Sequence, residues 1–217
     1  MIELETATQT ATGAVSRPGR TDAAAEHGVA VATVLANLGD SSFRHDHGLR
    51  YAYVAGAMAN GIASEALVIA MARGGMLGFF GAAGLSPVRV EAAVDRLQRE
   101  LGTLPFGVNL IHSPNEPAIE AAVADLLLRR GVKLIEASAY LRLTLPVVRF
   151  RVAGIHRDAA GHIVTPNRII AKVSRVEVAT QFFSPPPQEY LDELVRGGEI
   201  TPEIGRASCR ERVSPYV

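Results

Sequence analysis

Residues 51–85, YAYVAGAMANGIASEALVIAMARGGMLGFFGAAGL, decide the fold, because two short apolar runs flank one helical segment and each run ends in small residues. Tyr51–Ala55 is β-branched and aromatic without alternation, the pattern of a strand buried on both faces in a parallel sheet. Gly56, Ala57, Ala59 and Gly61 leave little side-chain bulk at its C-terminal end, so backbone there can approach a flat ligand. Ser64 has the chemistry of an N-cap, Leu67, Val68, Ala70 and Met71 suit the packing stripe of a crossover helix, and Gly74 and Gly75 stop it. Met76–Phe80 is the next strand, followed again by small residues, Gly81, Ala82, Ala83 and Gly84.

The alternation continues on the C-terminal side. Ser86 caps an amphipathic helix with Val90, Ala93, Val94, Leu97 and Leu101 on one face. Phe106–Ile111 is a third strand, Glu116–Arg130 a helix with Ile119, Val123, Leu126 and Leu127 inward, and Val132–Ala137 a fourth strand. Thr144–Ala153 reads as a helix starting near Pro146, which a first turn tolerates. Ile155–Val164 is a hairpin or loop around the Asp158–Gly161 turn, Ile169–Val173 a fifth strand, and Arg175–Phe183 a helix ended by Pro185, Pro186 and Pro187. On the N-terminal side, Ser42–Arg50 leads into the first strand, Val29–Leu38 is a short helix, and residues 1–28 are expected to be a disordered arm.

Repeated β-then-α units mean parallel strands with right-handed crossovers, in an open doubly wound sheet or a closed barrel. Either architecture places a site at the strand C-termini. The segment GAMANG lacks the GxGxxG spacing of a dinucleotide fold, and no GxxxxGK[ST] loop is present, so the expected class is α/β of the (β/α) barrel type.

Composition narrows the function classes. A chain of 217 residues with 48% hydrophobic content can bury a sizeable core. Its 22 basic and 22 acidic residues leave no long-range bias toward nucleic acid or an anionic membrane. The single cysteine, Cys209, offers no disulfide framework, which fits a cytoplasmic location. The most apolar stretch is broken by Glu65 and Arg73, too early for a membrane span, and the opening residues lack the apolar core of a signal peptide.

Several polar residues stand out against this apolar background. Asn109 interrupts a strand, and a buried amide needs partners. Lys172 is the sole charge in IIAKV; a buried lysine is costly unless paired, and either an anionic ligand or Glu136 can pair it. Ser138 ends the fourth strand, as a ligand contact or as a cap. His112, beside Ser113 and Asn115, lies where a substrate should sit, although a loop leading into a helix accounts for that stretch equally. His45 and His47 would share a strand face, but no third ligand follows at suitable spacing, so no metal site is expected. His156 and His162 flank a polar turn and read as solvated.

The segments GAMANGIASEALVIAMARGGMLGFFGAAGL, LPFGVNLIHSPNEP, LLLRRGVKLIEASAYLRLT and NRIIAKVSRVEVATQF resemble the PfaD-type trans-acting enoyl reductases of polyunsaturated fatty acid and polyketide synthases, a branch of the 2-nitropropane dioxygenase-like flavoproteins. The resemblance runs from about Leu38 to Thr201. It implies a TIM barrel holding FMN, which carries hydride from NADPH to the β-carbon of an enoyl thioester on an acyl carrier protein. Ala57, Met58 and Ala59 would then lie against the flavin, with Asn109, Ser138 and Lys172 as further cofactor contacts and His112 near the substrate. A glycine-rich turn that serves only tight packing remains the alternative for residues 56–61. A nitronate monooxygenase-like oxidase and a non-catalytic docking subunit are the alternative functions. Arg142, Arg149 and Arg151 are candidates for a basic patch meeting an acidic carrier domain.

A complete (β/α) barrel takes about 250 residues and eight strands, whereas about five βα units are legible here. The family's glycine-glycine-histidine segment, where related flavoproteins place a catalytic histidine, is not in this sequence. From about Gly205, GRASCRERVSPYV resembles translated sequencing-adaptor read-through. The expected organisation is therefore an arm over 1–28, the N-terminal part of an FMN-binding barrel over 29–204, and a non-native tail over 205–217. An incomplete barrel exposes strand edges and core, so self-association, weak FMN binding and little reductase activity are expected of this chain by itself.

Overall fold

In the computed structural model, which describes residues 34, 35, 37–209 and 211–215, parallel strands and helices alternate along the chain. Contacts divide the chain into Met1–Asn37 and Leu38–Val217, and the fold below is that of the second unit. The expected arm over 1–28 and most of the expected helix over 29–38 lie outside the described residues.

The elements in order are α1 (Ser41–His47), β1 (Val54–Ala55), α2 (Glu65–Arg73), β2 (Leu77–Phe80), α3 (Pro87–Leu101), β3 (Gly107–Ile111), α4 (Pro117–Arg129), β4 (Leu134–Ser138), α5 (Leu145–Val152), β5 (His156–Arg157), β6 (Ile163–Val164), β7 (Arg168–Lys172), α6 (Val176–Phe182), α7 (Gln188–Arg196) and α8 (Pro202–Ser208). Strands β1, β2, β3, β4 and β7 pair in that order, each parallel to the next, in one curled sheet that corresponds to part of a TIM barrel. β5 and β6 form a separate antiparallel ribbon whose exposed tip is closed by Asp158, its carboxylate accepting from the Ala160 and His162 amides.

Strand alternation sorts the residues into two faces. Phe80, Val108, Leu110, Ile135, Ala137, Ile169 and Ala171 join the main core with the helices. Leu77, Phe79 and Leu134 form a smaller cluster on the inner face, against which Phe43, Leu49, Ala57 and Ile170 pack. By the same alternation Asn109, Glu136, Ser138 and Lys172 belong to that inner face. Helix α1 covers its N-terminal end through Phe43, and His47 of the same helix feels the charge of Arg168 at the start of β7.

Helix α3 has all five inward residues that its periodicity predicts, and Ser86 accepts from the Arg89 amide at 3.4 Å. Ser64 likewise caps α2, accepting from the Leu67 amide at 3.3 Å. Other expectations are corrected. β1 is two residues long and Val54 is 37% exposed, because this strand forms one edge of the sheet and is not covered on both faces. In α2, Ala70 faces outward while Ile69 and Ala72 are buried. In α4, Ile119 is 40% exposed and its neighbour Glu120 is buried instead. Residues 41–47 are helical, so His45 and His47 do not share a strand face; His47 is buried against Phe43 and His45 is exposed.

Gly205 to Ser208 end α8, and further on the Val213 and Ser214 amides donate to the Ser184 and Phe182 carbonyls at the C-terminal end of α6. There Val213 is buried and the Ser214 hydroxyl donates to the Ile169 carbonyl at 2.6 Å.

Candidate functional site

The C-terminal ends of the strands converge on one carboxylate. Glu136 sits in the middle of β4, on the inner face, with its side chain 5% exposed. A buried carboxylate requires donors, and Glu136 Oε2 accepts from the Ala57 amide at 3.0 Å and from Lys172 Nζ at 3.0 Å. Lys172 Nζ also donates to the Ala57 carbonyl at 3.2 Å. The lysine is not buried as its sequence setting implies: it ends β7 with its side chain 54% exposed, so the carboxylate is inside and the ammonium faces the mouth.

Two further predicted residues adjoin this pair. Asn109 is buried, and its amide nitrogen donates to the Glu136 carbonyl at 3.0 Å and to the Ser138 hydroxyl at 2.9 Å. Its side-chain oxygen has no hydrogen bond among the described residues. Ser138 is paired in register with both Ile111 and Lys172, which places it beside the lysine on the adjacent strand.

The turn after β1 divides its donors unevenly. The Ala57 amide, expected to meet a ligand, is committed to Glu136, whereas the Met58 and Ala59 amides have no hydrogen-bond partner among the described residues. The small residues around them serve close packing. A Cβ on Gly81 would stand 1.7 Å from the Met58 carbonyl oxygen, and one on Gly56 would stand 3.0 Å from Glu136 Oε1. The turns after β1 and β2 are therefore pressed together, and the Asn60 and Gly61 amides donate to the Ala83 and Gly81 carbonyls.

His112 belongs to a different cluster. It directly follows the inward Ile111, so alternation turns it to the helix side, where Nδ1 lies 2.7 Å from Glu120 Oε2 of α4. Glu120 Oε1 accepts from the Tyr140 hydroxyl at 2.9 Å and from the Thr144 hydroxyl, and the His112 and Tyr140 rings stack with centroids 5.4 Å apart. Burial, and secondarily the Glu120 charge, push the Tyr140 phenol well above its ordinary value. Glu120 is absent from the candidates that the sequence yields, yet an acid followed at i+3 and i+4 by the inward Val123 and Ala124 is an available signal.

The three arginines do not make a basic patch. Arg151 is buried and donates to the Asn167 and Arg212 carbonyls, Arg149 is neutralised by Asp125 and Glu199, and only Arg142 is exposed without such pairing among the described residues. Among the described residues no group of three or more potential metal ligands occurs, and no helix is long and apolar enough to cross a membrane.

A parallel sheet curled as in a TIM barrel, with polar groups gathered at the strand C-termini, defines an α/β barrel-type protein. No family model matches the chain. It is 46% identical over 180 residues, 83% of its length, to a polyunsaturated fatty acid synthase protein of Thraustochytrium sp.. It is 45% identical over 166 residues, 76% of its length, to polyketide biosynthesis protein PksE of Bacillus subtilis. Among solved structures, the enoyl reductase domain of MlnA, from the macrolactin biosynthesis cluster of Bacillus amyloliquefaciens, superposes with a TM-score of 0.79 at 39% identity over 83% of this chain. The chain is thus similar to one part of polyunsaturated fatty acid synthase and polyketide biosynthesis proteins, and its fold to that of an enoyl reductase domain. It spans 12% and 22% of the two curated relatives and 41% of the MlnA chain.

Proposed function

We propose that this chain is the N-terminal part of an FMN-dependent enoyl reductase that acts in trans on enoyl groups carried by acyl carrier protein domains, with NADPH as reductant. The observation that carries the reading is the meeting of Asn109, Ser138, Lys172 and the open Met58 and Ala59 amides at one end of the sheet, in a chain similar to an enoyl reductase domain. These groups fit a flat heterocycle: two adjacent N–H donors, one amide oxygen acceptor and one ammonium. FMN, when bound, would supply hydride transfer between NADPH and the enoyl β-carbon.

The chain's own residues do the rest. The Met58 and Ala59 amides would donate to the bound ring and Lys172 would stabilise negative charge on it, while Ser138 accepts from the Asn109 amide nitrogen and so fixes its orientation. His112 is held by Glu120 on the helix side of the sheet, outside the cluster formed by Asn109, Ser138 and Lys172. The partner in this reading is the carrier domain of a synthase, and the location is the cytoplasm.

The test is NADPH oxidation after addition of FMN, with and without an enoyl thioester on a carrier protein. It is run on this chain and on a chimera in which residues 38–204 replace the matching part of the MlnA enoyl reductase domain. Enoyl-dependent oxidation by the chimera, with weak flavin binding and little turnover by the short chain, is expected. Oxygen consumption driven by a nitronate would favour the oxidase instead, and a folded chimera that binds the carrier without turnover would favour the docking role.

A further inference from the structure

We propose that Glu136 is a positioning residue of this site, and that it sets the charge of the ligand the site accepts. The proposal rests on the flavin reading only for the name of the ligand. Glu136 Oε2 holds the Ala57 amide and Lys172 Nζ at 3.0 Å each, so one buried oxygen fixes backbone at the end of one edge strand and an ammonium at the end of the other. Its second oxygen is confined on the Gly56 side, where even a methyl group would come within 3.0 Å. The carboxylate therefore has little room to swing away.

Two consequences follow for recognition. With the Ala57 N–H consumed, the donors presented to a ligand are the next two of the turn, Met58 and Ala59, and their directions depend on the peptide that Glu136 anchors. The Lys172 charge is already balanced by Glu136, so a doubly charged phosphate gains little there and meets a carboxylate behind the ammonium. Neutral or singly charged acceptors, such as ring carbonyl oxygens and ring nitrogens, suit the site; a phosphate group belongs elsewhere.

The chain contains two lysines, Lys133 and Lys172, which makes the test direct. Competitive acetylation with acetic anhydride, read by mass spectrometry, gives the reactivity of Lys172 with Lys133 as internal reference. Glu136→Gln, which removes the carboxylate that Lys172 Nζ donates to at 3.0 Å, is expected to raise the Lys172 to Lys133 ratio about threefold, and inorganic phosphate is expected to protect Lys172 in that variant but not in the wild type. Gly56→Ala, which crowds Glu136 without removing its charge, is expected to raise the ratio by a smaller factor and serves as second variant should Glu136→Gln not fold. Equal ratios in wild type and a folded variant, or phosphate protection of wild-type Lys172, would overturn the proposal. Failure of FMN to bind the wild type or the chimera would count against the flavin reading alone, because the acetylation ratio is read without flavin.

Discussion

Lys172 and Ala57 end the two edge strands of the sheet, 115 residues apart in sequence, and the lysine ammonium donates to the alanine carbonyl at 3.2 Å. The two edges are tied through the inner face at their C-terminal ends, with Glu136 of β4 taking part from between them.

Removing either partner of the Glu136–Lys172 pair should have unequal effects. Lys172→Met leaves a buried carboxylate whose Oε2 keeps the Ala57 amide but loses its cation, a loss of about 2 to 3 kcal/mol. Glu136→Gln leaves an ammonium that is already half in solvent and should cost at most about 1 kcal/mol. Urea denaturation at neutral pH ranks the two, and the reverse order would mean that the carboxylate is not buried.

Glycine substitutions separate close approach from backbone strain. Gly81→Ala places a methyl 1.7 Å from the Met58 carbonyl oxygen, which must move, and should destabilise by more than about 3 kcal/mol. Gly131→Ala meets nothing within 4 Å but sits at φ +68°, so it should cost about 1 kcal/mol. Thermal melts of the two variants check the order.

Tyr140 predicts an alkaline weakness. Its folded pKa is raised above the ordinary 10.0, so its contribution is fully present below about pH 10 and is lost as pH rises above that value toward the folded pKa. Stability measured between pH 9 and 11 should fall less steeply in Tyr140→Phe than in the wild type, although the variant loses the hydrogen bond to Glu120 and starts lower. Parallel curves would place the alkaline effect elsewhere.

His47 predicts an acid weakness. Burial first, and then the Arg168 charge, lower its pKa from 6.5 to about 4. A depressed folded pKa means stability that is present above pH 6.5 and lost as pH falls toward 4. The urea midpoint should therefore drop over that window, and His47→Leu should flatten the drop. An NMR titration in which the His47 ring protonates at its ordinary value would contradict the burial of α1.

Much of this fold is legible in the chain because its signal is local. The stripe of α3, the caps Ser64 and Ser86, and the strand at Leu77–Phe80 are each decided within a few residues. What sequence hides is apolar surface that ends at a sheet edge, as in β1, and polar groups whose partners are distant in the chain. Glu120 reads as an outward acid until His112, Tyr140 and Thr144 arrive from other loops, and Ile119 then yields the inward position. The site shows the same division. Asn109, Ser138 and Lys172 are visible as polar interruptions of apolar strands and do come together, whereas the assignment of the Ala57 amide to Glu136 depends on a contact 79 residues away.

The β5–β6 ribbon has a use outside the chemistry of the site. Its tip from Asp158 to Gly161 is exposed and closed by hydrogen bonds within residues 157–162, so no sheet strand depends on its sequence. Exposed tips of this kind accept inserted sequence. A fluorophore-bearing peptide or a fused reporter placed there would follow the folding of the α/β body from a point remote in the chain from β1 and its turn.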